Sequence, residues 1–294
     1  MLESLTPLLL GLFFPSQFSR NSTPYEQVVQ RIQSIQSENQ STSKIFSLGI
    51  SDQGLPLIVI QIGRSGPATL IVGTHHGNEY GSTAVAVAAA QHFAKYPLRN
   101  RTLYIIPVLN ASGYNVRSRN ERGPNNQSFD ANRDYEGPCR SGVAHKLKST
   151  RYLAHFVEEK NIVASATLHT YMPGVLYPWG FSTRDTMTLD QSKYVDLARL
   201  ATKESGYTVG NSTAELYAAD GTFEDFAYWK HGIWSLLFEM GLSHNPTEQN
   251  IQEMIRLNIP GLRRFLEESP ENRSVQNQFT GRCDRNVRQR DKLE

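Results

Sequence analysis

Apolar and polar positions repeat along the chain with two periods, near 3.6 and near 2, and the switches between them outline its elements. Over residues 25–37, Val28, Val29, Ile32 and Ile35 fall on one helical stripe, with Thr23 placed to cap it. Residues 44–48 and 55–63 read as strands joined through Ser51-Asp52-Gln53-Gly54, which predicts a hairpin. Residues 68–73 (ATLIVG) form a short unbroken apolar run, the pattern of a strand inside a sheet. Residues 81–96, rich in Ala and Val, predict a packed helix, and residues 103–109 (LYIIPVL) another interior strand.

The pattern stops between Asn110 and Gly142, where Asn, Arg, Gly and Ser dominate without periodicity. A loop this long inside a compact domain is commonly functional. Beyond it the sequence predicts a helix at 143–160, a strand at 162–168, helices at 187–205 and 222–230, and a strand at 233–239. A last helix spans 250–269, where Pro260 is expected to kink or split it. Apolar strands alternating with helices, with no repeat and no break in composition, argue for one α/β domain.

Composition narrows the function. The chain has 294 residues, 39% hydrophobic and 20% charged, with a formal net charge of +2. That balance predicts neither a nucleic-acid partner nor stable membrane insertion. Two cysteines, Cys139 and Cys283, exclude a disulfide scaffold and a thiolate metal cluster. A disulfide between them would suit an oxidising compartment, and two free thiols would suit a cytosolic one. The apolar stretch 5–14 is too short to span a bilayer, is broken by Pro7 and lacks a preceding basic segment. The expected organisation is an N-terminal extension at 1–20, a catalytic domain at 21–270 and a basic tail at 271–294. The Arg-rich end of that tail is expected to be solvated or frayed.

Polar residues gather where apolar strands end, the usual ligand edge of an open α/β sheet. Thr74-His75-His76-Gly77-Asn78-Glu79 follows one strand, His169-Thr170-Tyr171 another, and Glu239 ends a third. Catalytic zinc takes three His or carboxylate ligands and leaves one position open. His76, Glu79 and His169 make such a set, with Glu239 as a base outside it. Spacing alone does not choose between His75 and His76.

In order along the chain, further segments complete a recognisable series. His76-Gly77-Asn78-Glu79 resembles the HxxE zinc motif of the carboxypeptidase A-type zinc metallocarboxypeptidases. Asn110-Ala111-Ser112-Gly113-Tyr114 resembles their Asn-Pro-Asp-Gly-Tyr/Phe turn without its Pro and Asp. Asp130-Ala131-Asn132-Arg133, His169-Thr170-Tyr171, Leu216-Tyr217 and Phe238-Glu239 are similar to the later elements of that family. The resemblance covers roughly residues 25–266. It implies a single domain with a twisted mixed central β-sheet and helices on both faces. It also implies one zinc on His76, Glu79 and His169, with His75 supporting. Glu239 becomes the base that activates a zinc-bound water. Asn132, Arg133 and Tyr217 become the clamp on a free C-terminal carboxylate, and Tyr171 a further substrate contact. Arg119, ahead of Arg117 and Arg122, becomes the residue that polarises the scissile carbonyl. Arg117 and Arg122 have Asp130 and Glu136 as alternative partners.

Glu224 falls where the resemblance places the pocket for the departing side chain. A carboxylate there selects Lys or Arg, because an unpaired charge in a closed pocket is costly; an outward turn would leave it idle. The expected protein is a monomeric zinc carboxypeptidase, secreted or periplasmic, with a cytoplasmic location as the alternative. It would take peptides with a free C-terminus and release a basic residue. Three other readings compete: a cell-wall peptidase cutting before a diamino acid, a zinc-dependent N-acyl amino acid deacylase, and an inactive binder of peptide C-termini.

Overall fold

The computed structural model describes residues 22–283 apart from Ser141 and Asp185. The expected extension at 1–20 and the Arg-rich stretch after Cys283 lie outside the described residues. Helix α1 (Pro24–Glu38) starts on a capping box in which Thr23 and Glu26 each accept the other's backbone N–H. Strands β1 (Ser43–Ile50) and β2 (Pro56–Ile62) form the expected antiparallel hairpin. Next come β3 (Ala68–Gly73), α2 (Tyr80–Lys95), β4 (Thr102–Ile106) and the short α3 (Ala111–Val116). The long loop holds a small ribbon of β5 (Glu121–Arg122) and β6 (Ser128–Phe129). After it come α4 (Lys148–Glu159), β7 (Ile162–His169), β8 (Gly174–Tyr177), α5 (Gln191–Ala201) and β9 (Thr208–Asn211). The domain closes with α6 (Ser212–Glu215), α7 (Phe223–His231), β10 (Trp234–Glu239) and α8 (Glu248–Glu268).

Eight strands build one mixed sheet in the order β1-β2-β4-β3-β7-β10-β8-β9. The central neighbours β4, β3, β7 and β10 are parallel, and antiparallel pairs flank them. Side chains alternate across this sheet. Leu70 and Val72 of β3 join Phe156 of α4 and Phe226 of α7 on one face. Ile71 joins Ile32 of α1, Phe93 of α2 and Leu262 of α8 on the other. The expected α/β architecture with helices on both faces is therefore the one observed.

Several boundaries differ from expectation. The helix predicted from 143 begins only at Lys148, because carboxylates fix its start. Asp134 accepts the Lys146 and Leu147 N–H groups and the Thr150 hydroxyl, and Asp52 accepts the Lys148 N–H. The helix predicted from 187 begins at Gln191, leaving Met187 and Leu189 exposed. Pro260 does not split α8, which runs through it as one helix. An interior proline costs about 3 kcal/mol. The buried stripe of Met254, Ile255, Ile259, Leu262 and Phe265 offsets that, at about 1.5–3 kcal/mol per large apolar side chain. Residues 271–283 run over the surface, exposed or half-buried, but are tied to the domain. Arg273 donates to the Val157 and Ile162 carbonyls, Phe279 packs on Trp179 and Phe181, and Cys283 is disulfide-bonded to Cys139.

Beside the start of α4, Glu121 is fully buried against the Ser149 hydroxyl, with its Oε1 lacking a partner. Burial, reinforced by the charges of Asp52 and Asp134, pushes its carboxyl up to about 8. Between its ordinary value and about pH 8 the folded protein holds a proton that the unfolded chain has released, so stability falls as pH rises through that window. Glu121→Gln is therefore expected to gain on the wild type by about 1.4 kcal/mol per pH unit from about pH 5 to 7.5. Urea unfolding of both proteins across that range measures it; parallel profiles would count against a protonated Glu121.

Candidate active site

The three strands that carry the chemistry are adjacent and parallel, so their C-terminal ends meet at one edge of the sheet. Gly73 of β3 lies opposite Leu168 of β7, and His169 of β7 lies opposite Glu239 of β10. Beyond β3, Thr74 holds φ of 60°, unusual for a β-branched residue. Its hydroxyl is tied to Ser82, Thr83 and the Pro107 carbonyl. The next turn packs so closely on the Gly113-Tyr114 backbone that a Cβ on Gly77 would sit 2.1 Å from the Gly113 carbonyl carbon. Two of the sequence motifs are thus the two halves of one contact.

His76 Nδ1 lies 2.6 Å from Glu79 Oε1, and His169 Nδ1 lies 3.0 Å from Glu79 Oε2. One ligand atom from each of the three residues falls within 4.8 Å of the others, and all three side chains are buried. Two imidazole nitrogens and a carboxylate, converging and shielded from water, fit a single zinc ion. Burial opposes ionisation of Glu79, but the two imidazoles outweigh it and hold that carboxyl far below its usual range. His75 points elsewhere: its Nε2 meets the Tyr135 hydroxyl at 3.0 Å, and its ring stacks on His169.

Around this trio stands a layer that orients it. Asp130 accepts from His76 Nε2 at 3.1 Å and from Arg119 Nε at 3.1 Å, and Arg119 Nη1 reaches to 3.9 Å from Glu79. A carboxylate on the far nitrogen of a ligating His fixes its tautomer and ring plane. Asn110 donates to the His75 and Arg119 carbonyls and accepts from Gly113 N–H, which locks the turn, the ligand loop and the arginine segment together. Of the three candidate arginines only Arg119 is at the centre. Arg117 lies over the Tyr80 ring and Arg122 donates to the Asn126 carbonyl. Neither takes Asp130 or Glu136; Glu136 pairs with Lys230.

Glu239 lines the same pocket as His76 and His169. Its Oε2 is buried without a hydrogen-bond partner, and burial together with the charge of Glu79 raises its carboxyl well above the usual range. Across the pocket Arg133 Nη2 donates to the Tyr217 hydroxyl at 3.0 Å, while Nη1 is held by the Asn132 carbonyl at 2.6 Å. Asn132 accepts the Phe223 N–H on its Oδ1, and its Nδ2 faces Glu224 Oε2 at 3.5 Å. Glu224 is buried in the pocket wall, where Thr167 donates to its other oxygen. Among the described residues it has no cationic partner. Asp225 next to it turns away and accepts twice from Gly180 N–H, bracing that wall. Tyr171 is not drawn into the pocket: it is 53% exposed, with its ring against His244. A second groove, lined by Trp179, Met187, Leu189 and Phe279 among others, has no His, Asp or Glu among its described residues.

The roles of Asp130 and Asn110 are not visible in the sequence: both stand inside the family-like motifs, but their partners lie across space rather than along the chain.

Comparison with known proteins agrees in family and in fold. A family profile described as zinc carboxypeptidase matches residues 28–261. Carboxypeptidase SOL1 of Arabidopsis thaliana is 28% identical over 232 residues, covering 67% of this chain and 46% of its own length. Carboxypeptidase B of Canis lupus familiaris is 25% identical over 264 residues, covering 74% and 62%. The chain thus spans about half to three fifths of these relatives. Among solved structures, bovine thrombin-activatable fibrinolysis inhibitor in complex with tick carboxypeptidase inhibitor superposes with a TM-score of 0.77 at 20% identity. That match covers 83% of this chain and 96% of the other.

Proposed function

We propose that this chain, which belongs to the zinc carboxypeptidase family, is an exopeptidase that hydrolyses the last peptide bond of substrates with a free C-terminus and prefers a basic terminal residue. The observation that carries the reading is convergence. One pocket is bordered by His76 and His169 of the buried His/Glu/His trio, a carboxylate with an unpartnered buried oxygen, an arginine–tyrosine pair and a second carboxylate with no cationic partner among the described residues. Zinc bound to His76, Glu79 and His169 would supply a water of lowered pKa and a Lewis acid for the carbonyl.

The chain's own residues divide the remaining work. Glu239 takes the proton of the attacking water and returns it to the departing amine. Arg119, steered by Asp130, lies where developing negative charge on the carbonyl oxygen would be met. Arg133 offers its planar fork to the substrate carboxylate, and Tyr217 closes beside it. Glu224 then faces the side chain of the residue to be released.

The charges favour Lys or Arg over a diamino acid. Arg133 is the one Arg or Lys among the described residues lining the pocket, and it is committed to the α-carboxylate. Diaminopimelate would bring a second carboxylate toward Glu224 with no cation to receive it. The Cys139–Cys283 disulfide favours an oxidising compartment. No helix among the described residues is long and apolar enough to cross a membrane.

The test compares kcat/KM on peptides that differ only in a terminal Lys, Arg, diaminopimelate, Leu or Phe. The wild type should prefer Lys over Phe by about tenfold or more, since an unpaired buried carboxylate costs at least about 1.4 kcal/mol. Glu224→Gln should lose most of that preference. A wild type that favours Leu or Phe, or an unchanged ranking in the variant, would overturn the basic specificity.

A further inference from the structure

We propose that Arg140 is a positioning residue for Arg133, fixing the backbone of the carboxylate clamp and joining it to the segment that carries Tyr217. The proposal rests on the exopeptidase reading above and extends it to a residue outside the pocket. The clamp segment is sewn to residues 220–223 at several points. Tyr135 N–H donates to the Gly221 carbonyl at 3.1 Å, and Phe223 N–H to Asn132 Oδ1 at 2.8 Å. Between these two bonds, Arg140 Nη1 donates to the carbonyl of Arg133 itself.

Space at this junction is tight. Gly221 has φ of +82°, and a Cβ there would meet Arg140 Nη1 at 1.8 Å and the Arg133 carbonyl oxygen at 2.8 Å. The guanidinium therefore lies directly over the glycine backbone. Beside it, Asp220 Oδ1 is buried without a hydrogen-bond partner, and the cations that bear on Asp220 are Arg140 and Arg133. Removing Arg140 would free the Arg133 carbonyl and leave Asp220 with only the clamp arginine as counter-charge. Arg133 would then be drawn from substrate toward its own scaffold.

Arg140 is itself anchored. The residue before it, Cys139, is bonded to Cys283. The neighbouring Arg282 carbonyl accepts from Ser182, and Phe279 packs on Trp179 and Phe181, on either side of the pocket-wall Gly180. The strap at 271–283 is thus tied to the loop that carries Arg140. A long arginine side chain carries considerable rotamer entropy, and a binding fork must be held to about 0.5 Å to work. Arg140 and the staple supply that hold without touching substrate.

The experiment measures binding of lysine and of lysinamide to the zinc-loaded protein by calorimetry, with kcat and KM on a Lys-terminated peptide alongside. Arg140→Ala should weaken lysine about tenfold and lysinamide by less than about twofold, with KM raised and kcat nearly unchanged. Arg140→Lys should recover most of the loss. Equal weakening of both ligands, an unchanged lysine affinity, or a fall confined to kcat would overturn the proposal. Should Arg140→Ala fail to fold, Cys139→Ser combined with Cys283→Ser loosens the same loop and should lower the lysine-to-lysinamide ratio in the same direction; an unchanged ratio would count against it. A wild type that binds lysine over lysinamide yet cleaves no peptide would overturn the exopeptidase reading alone, because the binding ratio still reports on Arg140.

Discussion

Glu239→Gln is expected to keep the fold and the zinc affinity and to lower kcat by about 10²–10⁴-fold, the usual contribution of a positioned general base. The amide matches the carboxylate in shape, so the end of β10 and its register against His169 stay as they are. Only the capacity to take a proton is removed. That side chain is half-buried, borders the pocket with His76 and His169, and has a buried Oε2 with no hydrogen-bond partner among the described residues. A buried polar atom left unpaired costs free energy, about 1–3 kcal/mol, and persists where a ligand or water completes it. If Glu239 served only as a counter-charge for Arg119, the substitution would move stability and leave turnover within a factor of about five. Steady-state kinetics with zinc content and unfolding midpoint on the same preparation separate the two outcomes.

The parts of the fold that could be read from sequence are those where one pattern dominates. Ala68–Gly73, Ile162–His169 and Trp234–Glu239 are predominantly apolar and lack a period-2 alternation because helices cover both faces of the sheet, and such runs announce interior strands. The cap at Thr23 and the hairpin after it were legible for the same local reason. β8 and β9, four residues each, carry too short a signal and exist by pairing with β10 and with one another. The start of α4 was set by Asp134 and Asp52, both distant in sequence. Pro260 is an honest local signal overruled by the packing of a long buried stripe.

The candidate site divides along the same line. Strand ends mark the neighbourhood of His76, His169 and Glu239, yet nothing in the spacing separates His76 from His75. The distinction is three-dimensional: Glu79 and Asp130 take the two nitrogens of one ring, and Tyr135 takes the other. Family resemblance supplied what spacing lacked. Residues that act through backbone contacts, such as Asn110 and Arg140, leave no signature along the chain. Nor does the sequence announce that Arg273, ahead of the Arg-rich end, spends its guanidinium on the Ile162 and Val157 carbonyls.

His169→Ala is expected to abolish both tight zinc binding and hydrolysis, the largest effect of any single substitution considered. His169 is the one member of the trio that comes from β7; His76 and Glu79 share a loop after β3 and cannot close the site alone. A four-ligand structural zinc site is worth about 10–16 kcal/mol, so losing one protein ligand should cost about 3 kcal/mol or more, a loss of at least about 10²-fold in affinity. The substitution also strips Glu79 Oε2 of a partner at 3.0 Å, leaving the Thr170 N–H on that oxygen. His75→Ala is the matched control. It removes a buried imidazole from the same cluster, stacked on His169 at 5.6 Å, but one whose Nε2 is engaged by Tyr135. It should lower stability and retain stoichiometric zinc. Metal content after dialysis against a zinc buffer, measured for both variants with unfolding curves, reads the difference. A His169→Ala protein that holds zinc at wild-type affinity, or a His75→Ala protein that loses it while folded, would reassign the ligands.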